Sequence, residues 1–302
     1  MKIRTAAPND LPGIYRLLRR AEHAFISTGL EDIAGLIQQE LCVVGTLDAN
    51  GICAVAAIHC ESRPVTLPAP IPRRASVRVL ALAADCAPMT DVPALLHALE
   101  PRLFAAIAEP SVPSPTVEMT VFTRDAWLRA PLLNARFDVA ERVEFLRLNH
   151  LQQRRLDPSA DHPEGFTIQD AGPAHIDAVA TLDALAFAPR WHFSASQLLA
   201  LFMSGRMRIG LINGQLVGYS VLAYASGDDA QLERLAVHPG HQGQGVGRHL
   251  LLDAAYRARD AGATALLLNT QTDNHASQAL YRGAGFRATG HIIPLFSRRL
   301  GG

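Results

Sequence analysis

The chain has 302 residues, of which 49% are hydrophobic and 19% are charged, and its 28 basic residues balance its 28 acidic residues. This length predicts two compact domains, and this composition excludes both a disordered chain and a strongly basic nucleic-acid-binding protein. We find neither an apolar leader after Met1 nor a run of roughly 18 apolar residues that could cross a membrane. We therefore expect a cytoplasmic monomer or homodimer with no nucleic-acid or membrane partner.

The chain opens on a short strand that runs into a helix, and this pattern returns in its second half. Ile3–Pro8 aligns without a gap with Ile168–Pro173, and the helical pattern follows in both places. Two later strands repeat in the same order, Val77–Leu82 with Leu232–Val237 and Val117–Val121 with Leu266–Leu268. Three matches in one order indicate two copies of one unit. Alternating strands and helices predict an α/β fold, with a mixed, splayed β-sheet and helices on both faces of each copy.

The four cysteines lie in the first copy and show no CxxC spacing: Cys42, Cys53, Cys60 and Cys86. This usage is typical of buried thiols in a reducing compartment. It also excludes a cysteine nucleophile or a cysteine-ligated zinc site from the second copy.

The loop after the strand Val77–Leu82 contains no glycine, and no glycine occurs anywhere between Ile52 and Glu164. Thr90 or Asp91 can cap the helix that follows. Side chains and carboxylates then occupy the helix N-terminus, so this copy is predicted to lack a phosphate-binding turn.

The stretch Asn149–Glu164 is polar, contains proline and lacks apolar periodicity, as a linker does. It predicts a first domain over residues 1–150 and a second over residues 165–302.

In the second copy, the strand that ends at Val237 runs into a glycine-rich turn, Gly240–Gly247, and then into an amphipathic helix that Gly262 is expected to end. Unpaired backbone N–H groups and the positive end of the helix dipole meet in such a turn, and the missing Cβ atoms let an anion approach. The turn therefore predicts a phosphate site, although a tight connection alone would also use glycines.

The glycine spacing fits neither the GxGxxG dinucleotide fingerprint nor the GK[ST] ending of a P-loop. It fits (Q/R)xxGx(G/A), with Gln242, Gly245 and Gly247. With the preceding Leu235–Pro239 and the downstream Asn274–Phe286, the sequence closely resembles the GNAT superfamily of acyl-CoA-dependent N-acyltransferases. The resemblance covers roughly Gly165 to Leu300 and implies a tandem protein whose first copy is degenerate.

The resemblance implies a site for acetyl-CoA as co-substrate, with no metal. The pyrophosphate would lie on the backbone amides of the turn, and the pantetheine arm on the main chain of the preceding strand. The implied cofactor residues are Leu235, Ala236, Val237, Gln242, Gly243, Gln244, Gly245, Val246, Gly247, Arg248, Asn274, Ser277 and Tyr281.

Acetyl transfer to an amine needs a proton donor for the departing thiolate and a way to deprotonate the amine. The resemblance assigns the first role to Tyr281. Glu233 shares strand parity with Leu235 and Val237, so without a bulge it faces the same side and is a candidate base. A solvated carboxylate with water-mediated deprotonation remains the alternative, because Asn269 stands where some relatives carry glutamate.

The acceptor is expected to contact Phe187, Trp191 and Tyr219, although packing alone would also explain these aromatic residues. The predicted function is direct transfer of an acetyl group from acetyl-CoA to a primary amine of a small molecule or peptide. A catalytically idle CoA-binding sensor or scaffold remains the alternative.

Overall fold

The computed structural model describes residues 1–27, 33–47, 51–61, 73–108, 116–155, 163–224 and 228–301. The chain forms two compact units. Unit 1 contains Met1–Glu61, Pro72–Arg142 and Ile293–Gly302, and unit 2 contains Val143–Ile292.

Unit 1 is an α/β unit with helices on both faces of its sheet. Its helices are α1 (Leu11–Arg20), α2 (Ile33–Gln38), α3 (Pro88–Ile107) and α4 (Ala126–Asn134), and its strands are β1 (Lys2–Thr5), β2 (His23–Ile26), β3 (Cys42–Thr46), β4 (Ile52–Cys60), β5 (Arg73–Leu82), β6 (Val117–Phe122) and the start of β7 (Asp138–Leu148). Leu80 packs in the core with α3 and α4, and the next residue, Ala81, packs with α1 and α2. Because neighbouring strand residues point to opposite faces, the two helix pairs cover opposite faces.

Unit 2 repeats this architecture. Its helices are α5 (Ile176–Ala186), α6 (Ala195–Ser204), α7 (Val246–Asp260) and α8 (His275–Gly283), and its strands are β8 (Phe166–Asp170), β9 (Arg206–Ile212), β10 (Gln215–Tyr224), β11 (Asp229–Val237), β12 (Ala265–Gln271) and the start of β13 (Arg287–Leu300). Val221 packs with α5 and α6, whereas Leu222 packs with α7. The predicted α/β class with helices on both faces is confirmed.

The sheet order in unit 1 is β1-β3-β4-β5-β6, followed by the end of β13, and in unit 2 it is β7-β12-β11-β10-β9-β8. The last strand of each copy has therefore exchanged units. Residues 295–300 of β13 pair with β6, and residues 143–148 of β7 pair with β12. The two compact units therefore differ from the domains predicted at residues 1–150 and 165–302, because β7 and β13 each end in the other unit. Part of the expected linker, residues 156–162, lies outside the described residues.

One parallel strand pair in each unit diverges after a few residues. In unit 1, β5 pairs with β6 only over Arg73–Ser76, and in unit 2, β11 pairs with β12 only over Asp229–Gln231. The backbone edge of the longer strand is released beyond that point. The predicted splay is therefore present in both copies.

A β-bulge lies beside each splay at the equivalent position. Ala57 of β4 pairs with Val79 and Ile58 with Val77, so Arg78 is the extra residue. Val221 of β10 pairs with Arg234 and Leu222 with Leu232, so Glu233 is the extra residue. Each bulge lies four residues before the last residue of its strand, Leu82 or Val237, which supports the residue-level repeat.

The released edge is covered in unit 1 and open in unit 2. Strand β2 pairs with Val79–Leu82 on the edge of β5 that β6 has left. Within the residues that the structure describes, no strand pairs with the equivalent edge of β11 beyond Gln231. This difference decides where an extended ligand can bond to a strand.

Three cysteines, Cys42, Cys53 and Cys86, are buried, Cys60 is half-buried, and all four are free thiols, as the sequence predicts. None of the described helices has the length and hydrophobicity needed to cross a membrane.

Candidate functional site

A cleft of about 510 Å³ opens in unit 2 where β11 leaves β12. One wall is the end of β11, the floor is the turn into α7, and the opposite wall is the first two turns of α8. The residues that line it are Ala186, Phe187, Leu235, Ala236, Val237, Gln242, Gly243, Gly245, Gly247, Arg248, Asn274, Ala276, Ser277 and Leu280.

The turn into α7 is held by short-range hydrogen bonds. The Gly240 N–H donates to Nδ1 of His238 over 3.1 Å, and the side-chain amide of Gln242 donates to the carbonyl oxygen of Val237 over 3.2 Å. Gly243 and Gly245 have φ angles of 76° and 87°, in the left-handed region that favours glycine. These two glycines therefore serve the turn itself, whatever they also do for a ligand.

The N-terminus of α7 points backbone donors at the cleft. Gly245 is its N-cap, and the N–H groups of the first helical residues have no carbonyl one turn earlier to bond. Arg248, exposed in the first turn, lines the same cleft and adds a positive charge. Open amides, the helix dipole and a guanidinium together suit a phosphate group.

The wall formed by α8 carries two polar residues of the predicted site. Asn274 is the N-cap of α8, and its side-chain oxygen accepts from the Ser277 N–H over 3.1 Å. Both residues line the cleft. Asn274 therefore has a capping role in addition to any contact with a ligand.

Tyr281 lies one turn further along α8 and is 6% exposed, outside the cleft lining. Its ring packs against Phe286 at a centroid distance of 5.9 Å. Burial raises the pKa of the Tyr281 hydroxyl to about 12, against the opposing effects of a hydrogen bond with Ser277 and the charge of Arg234. The phenol therefore stays protonated at neutral pH and reaches the cleft through Ser277.

Glu233 departs from the sequence expectation because the premise of a strand without a bulge is wrong. The bulge places Glu233 itself in the extra position, so its parity with Leu235 and Val237 is broken. Its side chain is exposed and outside the cleft lining, although the protein covers enough of the carboxyl group to raise its pKa.

The loop after α5 is built around a buried ion pair that the sequence analysis missed. Arg234 donates from Nε and Nη2 to the carboxylate of Asp183 over 2.8 and 2.9 Å. Its guanidinium lies between the rings of Phe187 and Phe193, 3.7 and 4.0 Å from their centroids. It also donates to the carbonyl oxygen of Trp191. One arginine of β11 thereby fixes the loop that follows α5.

Asp183 closes this network from the helix side. Its carboxylate accepts from the Phe193 N–H over 2.7 Å and from the hydroxyl of Tyr219. Asp183 occupies the apolar stripe of α5 together with Val179 and Leu182. A charged residue in such a stripe must be paired when buried, and this was the signal available in the sequence.

Two of the three expected acceptor contacts are placed differently. Tyr219 is fully buried and its hydroxyl bonds to Asp183, so it is out of reach of an acceptor. Trp191 is half-buried and outside the cleft lining, whereas Phe187 lines the cleft. Tyr219 bonds to Asp183 because its position on β10 directs its side chain towards α5.

Besides Tyr281, two more of the expected cofactor residues lie away from the cleft lining. Val246 is buried against Leu250 in the core of unit 2. Gln244 is exposed, and its side-chain amide donates to the Gly240 carbonyl over 3.2 Å. Within the described ranges, no three His, Cys, Asp or Glu side chains could hold a metal ion together.

The part of the chain that forms this cleft is similar to known proteins. A model of the Acetyltransferase (GNAT) family matches residues 176–286. The N-acetyltransferase family 8 member 2 of Rattus norvegicus is 39% identical over 70 residues, 23% of this chain and 31% of that protein. The N-alpha-acetyltransferase RimI of Mycobacterium tuberculosis is 38% identical over 80 residues, 26% of this chain and 49% of RimI. The chain therefore spans about a third to about a half of the length of these relatives.

A solved structure accounts for both units. The tandem GNAT protein from the clavulanic acid biosynthesis pathway matches 99% of this chain and 98% of its own, with a TM-score of 0.60 and 17% identity. At this identity the match shows the fold. The prediction of two tandem domains of one fold is confirmed.

Proposed function

We propose that the chain is an acetyl-CoA-dependent N-acetyltransferase of the acetyltransferase (GNAT) family, whose model matches residues 176–286. It transfers an acetyl group directly to a primary amine of a small molecule or a peptide. We place the reaction in unit 2, and we propose that unit 1 binds no acetyl-CoA.

The observation that carries this proposal is the meeting of two features in one cleft. The amides at the start of α7 offer a site for the pyrophosphate, and the released edge of β11 offers main-chain groups at Leu235, Ala236 and Val237. An extended pantetheine arm can bond to that edge as an added strand would. In unit 1, β2 holds the equivalent edge and the loop after β5 has no glycine.

The leaving group is the CoA thiolate, and the pair Ser277–Tyr281 supplies its proton. Ser277 lines the cleft, and its side chain is hydrogen-bonded to the Tyr281 hydroxyl. A phenol with a pKa of about 12 is less acidic than a thiol, whose pKa is about 8.5. The hydroxyl pair therefore stabilises the departing thiolate by hydrogen bonding. The phenol that gives a proton to the sulfur regains one from the nitrogen that the acetyl group has joined, so the proton lost by the amine balances the one gained by the thiol.

The amine must lose a proton before or during attack, because an unperturbed primary amine has a pKa of about 10.4. We assign this role to Glu233 acting through water, since its raised pKa brings the carboxylate closer to neutrality. Its position outside the cleft lining requires the intervening water.

One observation favours a second candidate, a CoA-binding sensor without turnover. Among the described residues, those lining the cleft include no carboxylate. The two candidates share the acetyl-CoA site and differ only in acetyl transfer.

Incubation of the purified full chain with acetyl-CoA and separate pools of peptides, amino acids and aminoglycosides tests the proposal. Release of free thiol with matching acetylation of one pool supports the enzyme. Tight acetyl-CoA binding with no thiol release from any pool supports the sensor, and absence of acetyl-CoA binding contradicts both.

A further inference from the structure

Unit 1 keeps a cavity at the place where β5 leaves β6. It has a volume of about 410 Å³, and its lining comes from β2, β5, β6 and the start of α4. The polar residues in the lining include Ser27, Arg78, Thr120, Thr123, Arg124 and Asp125. Unit 1 therefore has an open cavity beside the diverging strands, although β2 covers the released edge of β5.

The bulge residue of unit 1 lines this cavity. Arg78 is the extra residue of β5, equivalent to Glu233 of β11, so the two copies carry opposite charges at one position of the repeat. The Nε atom of Arg78 is buried and has no hydrogen-bond partner in the described part of the chain. A buried N–H group without a partner is costly, which calls for an acceptor in this cavity.

The other charged groups of the lining leave an excess of positive charge. Arg124 is an exposed second guanidinium, and Asp125 is the one carboxylate among the lining residues that the structure describes. The Asp125 carboxylate accepts from the Thr123 hydroxyl over 3.0 Å, which occupies part of its capacity. Two guanidinium groups beside hydroxyl groups suit a carboxylate or a phosphate, which arginine can bind with two parallel hydrogen bonds.

We propose that unit 1 is a ligand-binding domain whose cavity takes a small molecule bearing a carboxylate or phosphate group, held by Arg78 and Arg124. The proposal is independent of acetyl transfer in unit 2. It gives the copy without an open strand edge a function of its own.

Calorimetric titration of the full chain with succinate, inorganic phosphate and the uncharged analogue succinamide tests this site. Saturable binding of succinate or phosphate, with none of succinamide, is expected. Succinate binding alone identifies a carboxylate ligand, and phosphate binding alone identifies a phosphate ligand. Inorganic phosphate also suits the amides at the start of α7, so only the binding that depends on Arg78 reports on the cavity.

The variant Arg78→Gln isolates the contribution of that guanidinium. Loss of a charge-assisted hydrogen bond should lower the affinity for the anion roughly tenfold to a hundredfold in Arg78→Gln. The matched control is Arg129→Gln, the same change at an exposed arginine of α4 outside the cavity lining. An unchanged circular dichroism spectrum verifies that Arg78→Gln folds, and Arg124→Gln, at an exposed position, provides a second variant. Unchanged affinity in both cavity variants, or no binding of either anion to the native chain, overturns the proposal.

Discussion

At the scale of single residues, the hydrogen bond between Ser277 and Tyr281 connects a buried phenol with the cleft. Removing either hydroxyl breaks the same path. Tyr281→Phe should therefore lower turnover by about 10² to 10⁴ while acetyl-CoA affinity stays nearly unchanged. Ser277→Ala should act similarly, and the double variant should be no slower than the slower single variant, because the residues act as a unit.

Steady-state kinetics at a pH where chemistry limits the rate measures this effect. The phenylalanine ring keeps the packing against Phe286, so lost packing would not explain a decrease. Near-native turnover in Tyr281→Phe would show that the thiolate leaves without help from this hydroxyl.

Glu233 gives a prediction about pH. The partly covered carboxyl group has a raised pKa, so it becomes protonated at a higher pH than a free glutamate. Protonation removes the base, so the plot of log kcat/KM against pH should steepen below that pKa, beyond the slope due to the amine. Glu233→Gln should lower kcat at least about tenfold and remove this extra slope. An unaltered profile would leave water as the base.

At the scale of elements, the entry into α7 separates the structural and ligand-binding uses of its glycines. Gly245 has a φ of 87°, whereas a Cβ atom at Gly247 would meet only ordinary contacts of 3.4 and 3.5 Å. Gly245→Ala should cost about 1–2 kcal/mol of stability because an L-residue is strained in that conformation. Gly247→Ala should not destabilise the chain and should weaken acetyl-CoA binding, because its methyl group enters the cleft.

Thermal melts and calorimetry of these two variants provide the measurement. An undiminished melting temperature for Gly245→Ala would contradict the left-handed geometry. Unchanged acetyl-CoA affinity for Gly247→Ala would show that the ligand keeps clear of that position.

The buried pair Arg234–Asp183 holds the loop that contains Phe187. Arg234→Met leaves the carboxylate of Asp183 buried without its cation, which should destabilise the chain by about 3–5 kcal/mol. Arg208→Met breaks another buried pair, with Asp253, and is the control; its loss of stability should be smaller, because Asp253 keeps Arg257 as a partner. When kinetics are measured below the melting temperature of both variants, only Arg234→Met should lower kcat/KM for the acceptor substantially. An equal decrease in kcat/KM in both variants would show that Arg234 contributes only to stability.

Which elements could be predicted depends on the range of the interactions that form them. The helix expected after the glycine turn runs over Val246–Asp260, and Gly262 follows it with a φ of 93°, because caps and apolar periodicity are local signals. The bulge at Glu233 depends on pairing with β10, so strand parity alone could not fix the position of its side chain. The pairing of Arg234 with Asp183 spans 51 residues, and only the charge on an apolar stripe pointed to it.

At the scale of the whole molecule, the sequence repeat predicted two copies, and the matching bulges at Arg78 and Glu233 extend that repeat to single residues. The exchange of the last strands could not be predicted. Leu148 of β7 pairs with Leu266, and Leu295 of β13 pairs with Phe122. Each pair joins residues more than 110 positions apart, and pairing over that distance leaves no local signal. The cover of the β5 edge by β2 has the same origin, since a short strand does not specify its partner.

One cleft, in unit 2, is proposed to hold acetyl-CoA. The most direct test of this proposal is calorimetric titration of the full chain with acetyl-CoA. We predict one site per chain, weakened in Gly247→Ala and unaffected by Arg78→Gln. The reason is that β11 has an open edge and is followed by a glycine turn into α7, while β5 has neither feature. Two sites of comparable affinity, or no binding, would contradict a single acetyl-CoA site in unit 2.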